Sequence, residues 1–171
     1  MNQGIQETPM SQISKESGIA IGTIYHHFKS KKEIINYIFL DINKDLGKVQ
    51  MANVMETSAY KIQFFQIWNN LFAFYAHNEQ KFKFLQNIEH LPIIDEEIRQ
   101  EALKIKIPLN EFYKKGIQAE ILKPMNLHIL SETLHGNVVS LANLYHQKTI
   151  ELNKTVLLQA IIMSWESVVN K

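Results

Sequence analysis

Apolar residues recur three and four positions apart along nearly the whole chain, and strand-like alternation is almost absent. That period puts them on one side of successive helices and predicts an all-α protein. Thr8-Pro9 pairs an N-cap residue with proline at a first helical position, predicting a short helix over 8–17. Gly18 should end it in a left-handed conformation, and a second short helix follows over 20–28. Ser30 and Glu33 have the spacing of a capping box, opening a long helix with Ile34, Ile35, Ile38, Ile42, Leu46 and Val49 on one broad side. Gly47 and the softer stretch over 51–57 read as a junction. Further helices are predicted over 58–77, 79–90, 95–116, 126–147 and 153–170, the third of these kinked at Pro108, which lacks a backbone donor.

Two short helices around a tight turn, followed by a long one, form a helix-turn-helix arrangement. At about 100° per residue, Ile21, Ile24 and Phe28 fall on one side of the second helix, and Gly22, Thr23 and His26 on the other. A glycine, a hydroxyl and an imidazole on the free face suit a helix that reads the major groove. Ile21 has two readings: it packs with Ile24, the preferred one, or it meets a thymine methyl.

At these residues the sequence resembles the tetracycline-repressor (TetR) family. The resemblance rests on the run over 11–19, then Gly22, Thr23, Ile24 and Tyr25, Phe28, and Ser30 and Lys31 ahead of Glu33. It implies a helix-turn-helix DNA-binding domain over 1–48 and an effector-binding and dimerisation domain over 49–171. Thr8 and Lys31 would lie near phosphates at helix N-termini, Gly22, Thr23 and His26 would enter the groove, and Tyr25 would brace the backbone. The family places a further helix ahead of the helix-turn-helix. Here residues 2–8 look like its tail and the following turn, so the DNA-binding domain is expected to be incomplete at its front.

Composition narrows the classes. With 46% hydrophobic and 20% charged residues the 171-residue chain can bury a core. No apolar run is long enough for a membrane span, and no basic-plus-apolar leader is present at the start. The absence of cysteine removes disulfides, thiolate metal sites and cysteine nucleophiles, and is compatible with a cytoplasmic location. Net charge is only +1, so the DNA-binding reading rests on the motif rather than on bulk electrostatics. His128 and His135 share a helix face about 10 Å apart, too far for one ion, and His77 and His90 lie elsewhere, so no metal or other cofactor is expected. No phosphate-cradling loop or nucleophile motif appears, and the chain does not read as an enzyme.

The aromatic-rich helix over 58–77 admits two readings, a buried central core helix or one wall of an apolar ligand cavity with amide anchors. The ligand-binding candidates are Phe64, Trp68, Phe72, Tyr75 and, from a later helix, Phe112. The last two helices carry apolar stripes, with Leu127, Leu134, Val138, Leu141, Ile161 and Trp165 as dimer-interface candidates. The alternative is that those stripes pack within one chain. The function expected is a homodimeric repressor that binds double-stranded operator DNA and is released by a small, largely apolar effector. A helical ligand-binding or adaptor protein that no longer binds DNA is the alternative, and a metal or haem sensor a more remote one.

Overall fold

The computed structural model describes residues 8–88 and 91–171. The expectation about the front of the DNA-binding domain concerns mainly residues 1–7, and His90 also lies outside the described residues. Among the described residues there are nine helices and no sheet: α1 (Met10–Ser17), α2 (Ile21–His27), α3 (Lys31–Gln50), α4 (Tyr60–His77), α5 (Glu79–Ile88), α6 (Glu96–Ile105), α7 (Ile107–Gln118), α8 (Leu127–His146) and α9 (Lys154–Val168). None of the described helices is long and apolar enough to cross a membrane.

Local chemistry sets the boundaries at the front. Gly18 ends α1 at φ +70°, a conformation that side chains with a Cβ rarely adopt. Ser14 Oγ donates to the Ile19 carbonyl at 2.6 Å, which ties α1 to the turn. At the start of α3, Ser30 Oγ accepts from the Glu33 N–H at 3.2 Å and the Glu33 carboxylate accepts from the Lys29 N–H at 2.6 Å. The capping box is therefore present, with its return bond one residue upstream of the cap. Thr8, by contrast, does not cap α1. Pro9 occupies that position without a side-chain bond, and the Thr8 carbonyl instead accepts from Lys31 Nζ at 2.8 Å.

Helix α4 is the axis of the helical bundle behind α3. Its buried residues include Phe64, Ile67, Trp68, Leu71, Phe72, Phe74 and Tyr75, and it packs against α3, α5, α8 and α9. The core-helix reading of its aromatics is thus correct for most of them. Its amides serve structure as well: Asn70 Nδ2 donates to the carbonyls of Gln50 (3.1 Å) and Ala52 (2.8 Å), satisfying the open C-terminal end of α3. Gln63 Nε2 donates to the Ser58 carbonyl at 2.7 Å.

Two expectations about elements need correction. The helix foreseen over 95–116 is two helices separated at Lys106, whose N–H turns back to the Leu103 carbonyl at 3.1 Å. Pro108 lies in the first turn of α7, where its missing donor has no helical partner to lose. Gly47, read as part of a junction, is inside α3. A Cβ there would come within 2.3 Å of the Ile105 side chain, so the glycine permits close approach of α3 and α6.

Candidate DNA-reading helix and ligand cavity

Helix α2 is held by one buried residue, Ile24, which is 7% exposed. Gly22, Thr23, Tyr25 and His26 are all exposed, and a Cβ added at Gly22 would meet nothing within 4 Å. Backbone and side chains on this face can therefore approach a flat or grooved partner closely. Ile21 is 42% exposed, and so does not pack away with Ile24 as preferred from the sequence. It stands at the edge of the open face, four residues before Tyr25. Lys31 meets Thr8 as described, which links the starts of α1 and α3. Lys32 forms an ion pair with Asp95.

That ion pair belongs to a seam between α3 and α6. Asn36, buried, donates from Nδ2 to Asp95 Oδ2 at 2.5 Å and accepts from the Asp95 N–H at 3.1 Å. Further along, Lys44 pairs with Glu101 at 3.2 Å. The seam closes at the tight approach of Gly47 to Ile105. The Lys32 ammonium beside Asp95 holds that carboxyl below the usual carboxylate range, and Asn36 adds to the effect.

Beyond this seam α3 forms one wall of a cavity whose other walls are α4, α5, the α6–α7 break with α7, and α8. Its volume is about 50 Å³, room for a few small molecules of solvent size. A drug-sized occupant needs several hundred, so this space against α4 falls well short of the ligand cavity that the sequence admitted there, because the aromatics of α4 are packed against their neighbours. Among the ligand-binding candidates, Trp68 and Tyr75 line this cavity. The other three are engaged elsewhere: Phe112 stacks on Tyr60 at 4.3 Å, Phe64 meets Trp165 edge-on at 5.2 Å, and Phe72 stacks on Trp68 at 5.8 Å.

Of the polar lining only Tyr75 was expected, and the α4 amides expected as anchors do not line the cavity. Tyr75 Oη and His135 Nε2 are 2.8 Å apart at the cavity, and Lys106 and Glu132 stand at its rim. Buried Asn43 and Gln50 contribute from α3, and Tyr113 from α7, its phenol pushed up by burial. Spacing could have placed His135 on the Leu134–Val138 side of α8, but only tertiary packing brings it to Tyr75. Trp68 donates from Nε1 to Ser164 Oγ at 3.0 Å, tying α4 to α9. Among the described residues no group of three or more His, Asp or Glu side chains could hold a metal ion.

The interface candidates are where the structure departs most from the sequence reading. Leu134, Val138, Leu141, Ile161 and Trp165 are buried within the chain, and Leu127 is half-buried. These stripes pack on α4 and on each other, because a single chain needs them to close its own core. Leu134 and Val138 also line the cavity. The apolar residues left exposed on these helices are a different set, including Ile129 and Leu144 on α8 and Leu158, Ile162 and Met163 on α9.

Comparison with known proteins agrees with this architecture. Residues 59–169 match the family described as tetracyclin repressor-like, C-terminal domain, and residues 1–38 match that described as bacterial regulatory proteins, tetR family. An HTH-type transcriptional regulator of Haemophilus influenzae is 24% identical over 167 residues, covering 97% of this chain and 87% of its own. The fatty acid metabolism regulator protein of Bacillus subtilis is 25% identical over 148 residues, covering 79% and 71%. The crystal structure of a TetR family transcription regulator from Marinobacter aquaeolei superimposes with a TM-score of 0.87 at 17% identity, covering 96% of this chain and 86% of that one. The helix-turn-helix at the front and the α-helical bundle behind it are those of a regulator, and the chain belongs to the tetR family of bacterial transcriptional regulators.

Proposed function

We propose that this chain is a homodimeric repressor that binds double-stranded operator DNA through α2 and is released by a small, largely apolar effector entering the cavity between α3, α4 and α8. The observation that carries the reading is the position of α3. One end of it joins the helix-turn-helix, and the rest, from Phe39 through Leu46 and Gly47 to Gln50, lines the cavity. A cavity of about 50 Å³ accepts a larger occupant only by moving a wall. The wall most directly joined to DNA binding is α3, with α6 fastened along it.

A shift of α3 changes the separation of the two reading helices in a dimer, which must match half-sites roughly 34–36 Å apart. An effector that binds the mismatched state better thereby weakens DNA binding. The Tyr75–His135 pair and the rim Lys106 offer polar partners to one end of an otherwise apolar molecule. Together with the name of the Bacillus relative, a fatty acid metabolism regulator, this makes fatty acids the first effectors to try. The exposed α8–α9 face supplies the dimer contact, two helices from each subunit about a two-fold axis.

The test is a mobility-shift assay of the purified chain on the intergenic DNA upstream of its own gene, with and without a long-chain fatty acid. Retardation that the fatty acid reverses is the expected result. Fatty-acid binding without any DNA binding would favour the adaptor reading, to which the low net charge and the internal engagement of Lys32 lend some weight.

A further inference from the structure

The exposed face of α2 lacks the side chains that most often identify bases. From Ile19 to His27 there is no arginine, lysine, asparagine or glutamine. Those four provide the bidentate contacts that single out guanine and adenine in the major groove. Thr23, Tyr25 and His26, all exposed, can each make single hydrogen bonds, which phosphate oxygens accept as readily as base edges do. What the face does offer is apolar surface. Ile21 is 42% exposed at the first turn, Tyr25 lies four residues on and so on the same side, and Ile19 in the preceding turn is also exposed. Gly22, beside Ile21, has open space where a Cβ would stand, so nothing holds the helix away from a groove floor.

On the reading that α2 enters the major groove, we propose that this chain selects its operator through thymine methyl groups, with Ile21 as the residue that sets the preference. The C5-methyl of thymine is the apolar landmark on the base edges of that groove. An isoleucine at the leading edge of a reading helix can bury itself against such a methyl and gains nothing against the polar edges of guanine or cytosine. Specificity then comes from apolar contact at one or two thymines per half-site, and the hydroxyl and imidazole groups position the helix on the backbone.

The experiment starts by enriching duplexes from a randomised library with the full 171-residue chain. Each thymine of an enriched duplex is then replaced singly by deoxyuridine, which removes the methyl and leaves every hydrogen-bonding group unchanged. At the thymine facing Ile21 the affinity should fall about fourfold, the worth of one buried carbon. In Ile21→Ala the same replacement should have no effect, and Ile21→Val should retain part of it. Because Ile21 is a surface residue, these variants keep the fold, and their helical content can be checked directly. Enriched duplexes whose affinity is indifferent to deoxyuridine at every position would overturn the inference and leave the repressor reading standing. Failure to enrich any duplex would overturn both.

Discussion

Asn36 and Asp95 exchange two hydrogen bonds, side chain to side chain at 2.5 Å and backbone N–H to side chain at 3.1 Å. They join the first turns of α3 to the start of α6 across 59 residues of sequence, at a point where Asn36 is buried. Removing the amide loses both bonds, and because Asp95 is exposed and can turn to water the cost is that of ordinary hydrogen bonds, about 0.5–1.5 kcal/mol each. Asn36→Ala should therefore lower the urea midpoint by a corresponding amount. On the proposed mechanism it should also make DNA binding less responsive to effector, because α6 is no longer fastened to α3 at that end.

The same seam should depend on pH. Lys32 beside Asp95 lowers the carboxyl in the folded chain, so the contribution to stability is present above the unfolded-state value and is lost as pH falls through the folded-state value. Wild type and Asp95→Asn should differ in urea midpoint at neutral pH. The two should converge in acid below the usual carboxylate range. A difference that persisted there would mean that the carboxylate charge is not what holds the seam.

Particular residues explain which features were legible in the sequence. Ser30 with Glu33, and Gly18, are local signals whose partners lie within four residues, and they mark helix ends where the structure has them. The exposed face at Gly22, Thr23 and His26 follows from helical period alone. Periodicity says which face of a helix is apolar but not what covers it. For that reason Leu134 and Ile161 read equally well as interface and as core, and α4 claims them for the core. The cavity's polar lining depends on contacts such as Tyr75 with His135, 60 residues apart, which no local pattern encodes.

Gly47→Ala tests the close approach of α3 to α6. Its Cβ would meet the Ile105 methyl at 2.3 Å, and isoleucine, branched at Cβ, has little freedom to withdraw it. The substitution should destabilise by about 1–3 kcal/mol, the usual penalty of overpacking. Ile105→Ala removes the opposing methyl, so the double variant should be more stable than the sum of the two single effects. Simple additivity in chemical denaturation would show that the helices part there without strain.

Trp68 reports on the cavity. Its indole lines the space, while the chain's other tryptophan, Trp165, packs against Phe64 outside it. Titration with a long-chain fatty acid should change the tryptophan emission, and Trp68→Phe should abolish most of that change. Filling the space with Val138→Phe should weaken binding at least tenfold if the ligand occupies this cavity. An unaltered titration in that variant would move the effector site elsewhere.

The α8–α9 surface permits a sharper test of the dimer than the buried stripes do. Leu158, 53% exposed, and Ile162, 40% exposed, are four residues apart and so share a face of α9. On α8 the exposed Ile129, Thr133, Gly136, Ser140 and Leu144 recur three and four apart, with small residues at the centre that allow a helix to approach closely. Neither group contains a charge. Glutamate at Leu158 or Ile162 would have to be buried unpaired in a two-fold interface that brings two copies together, whereas in the single chain it faces water. Leu158→Glu should therefore remain folded, with an unchanged helical spectrum, yet sediment as a monomer and lose cooperative operator binding. Leu134→Glu, at a position 2% exposed, should instead unfold the bundle or yield insoluble protein. If Leu158→Glu and Ile162→Glu both sediment as the unmodified dimer does, the contact between subunits lies on another face.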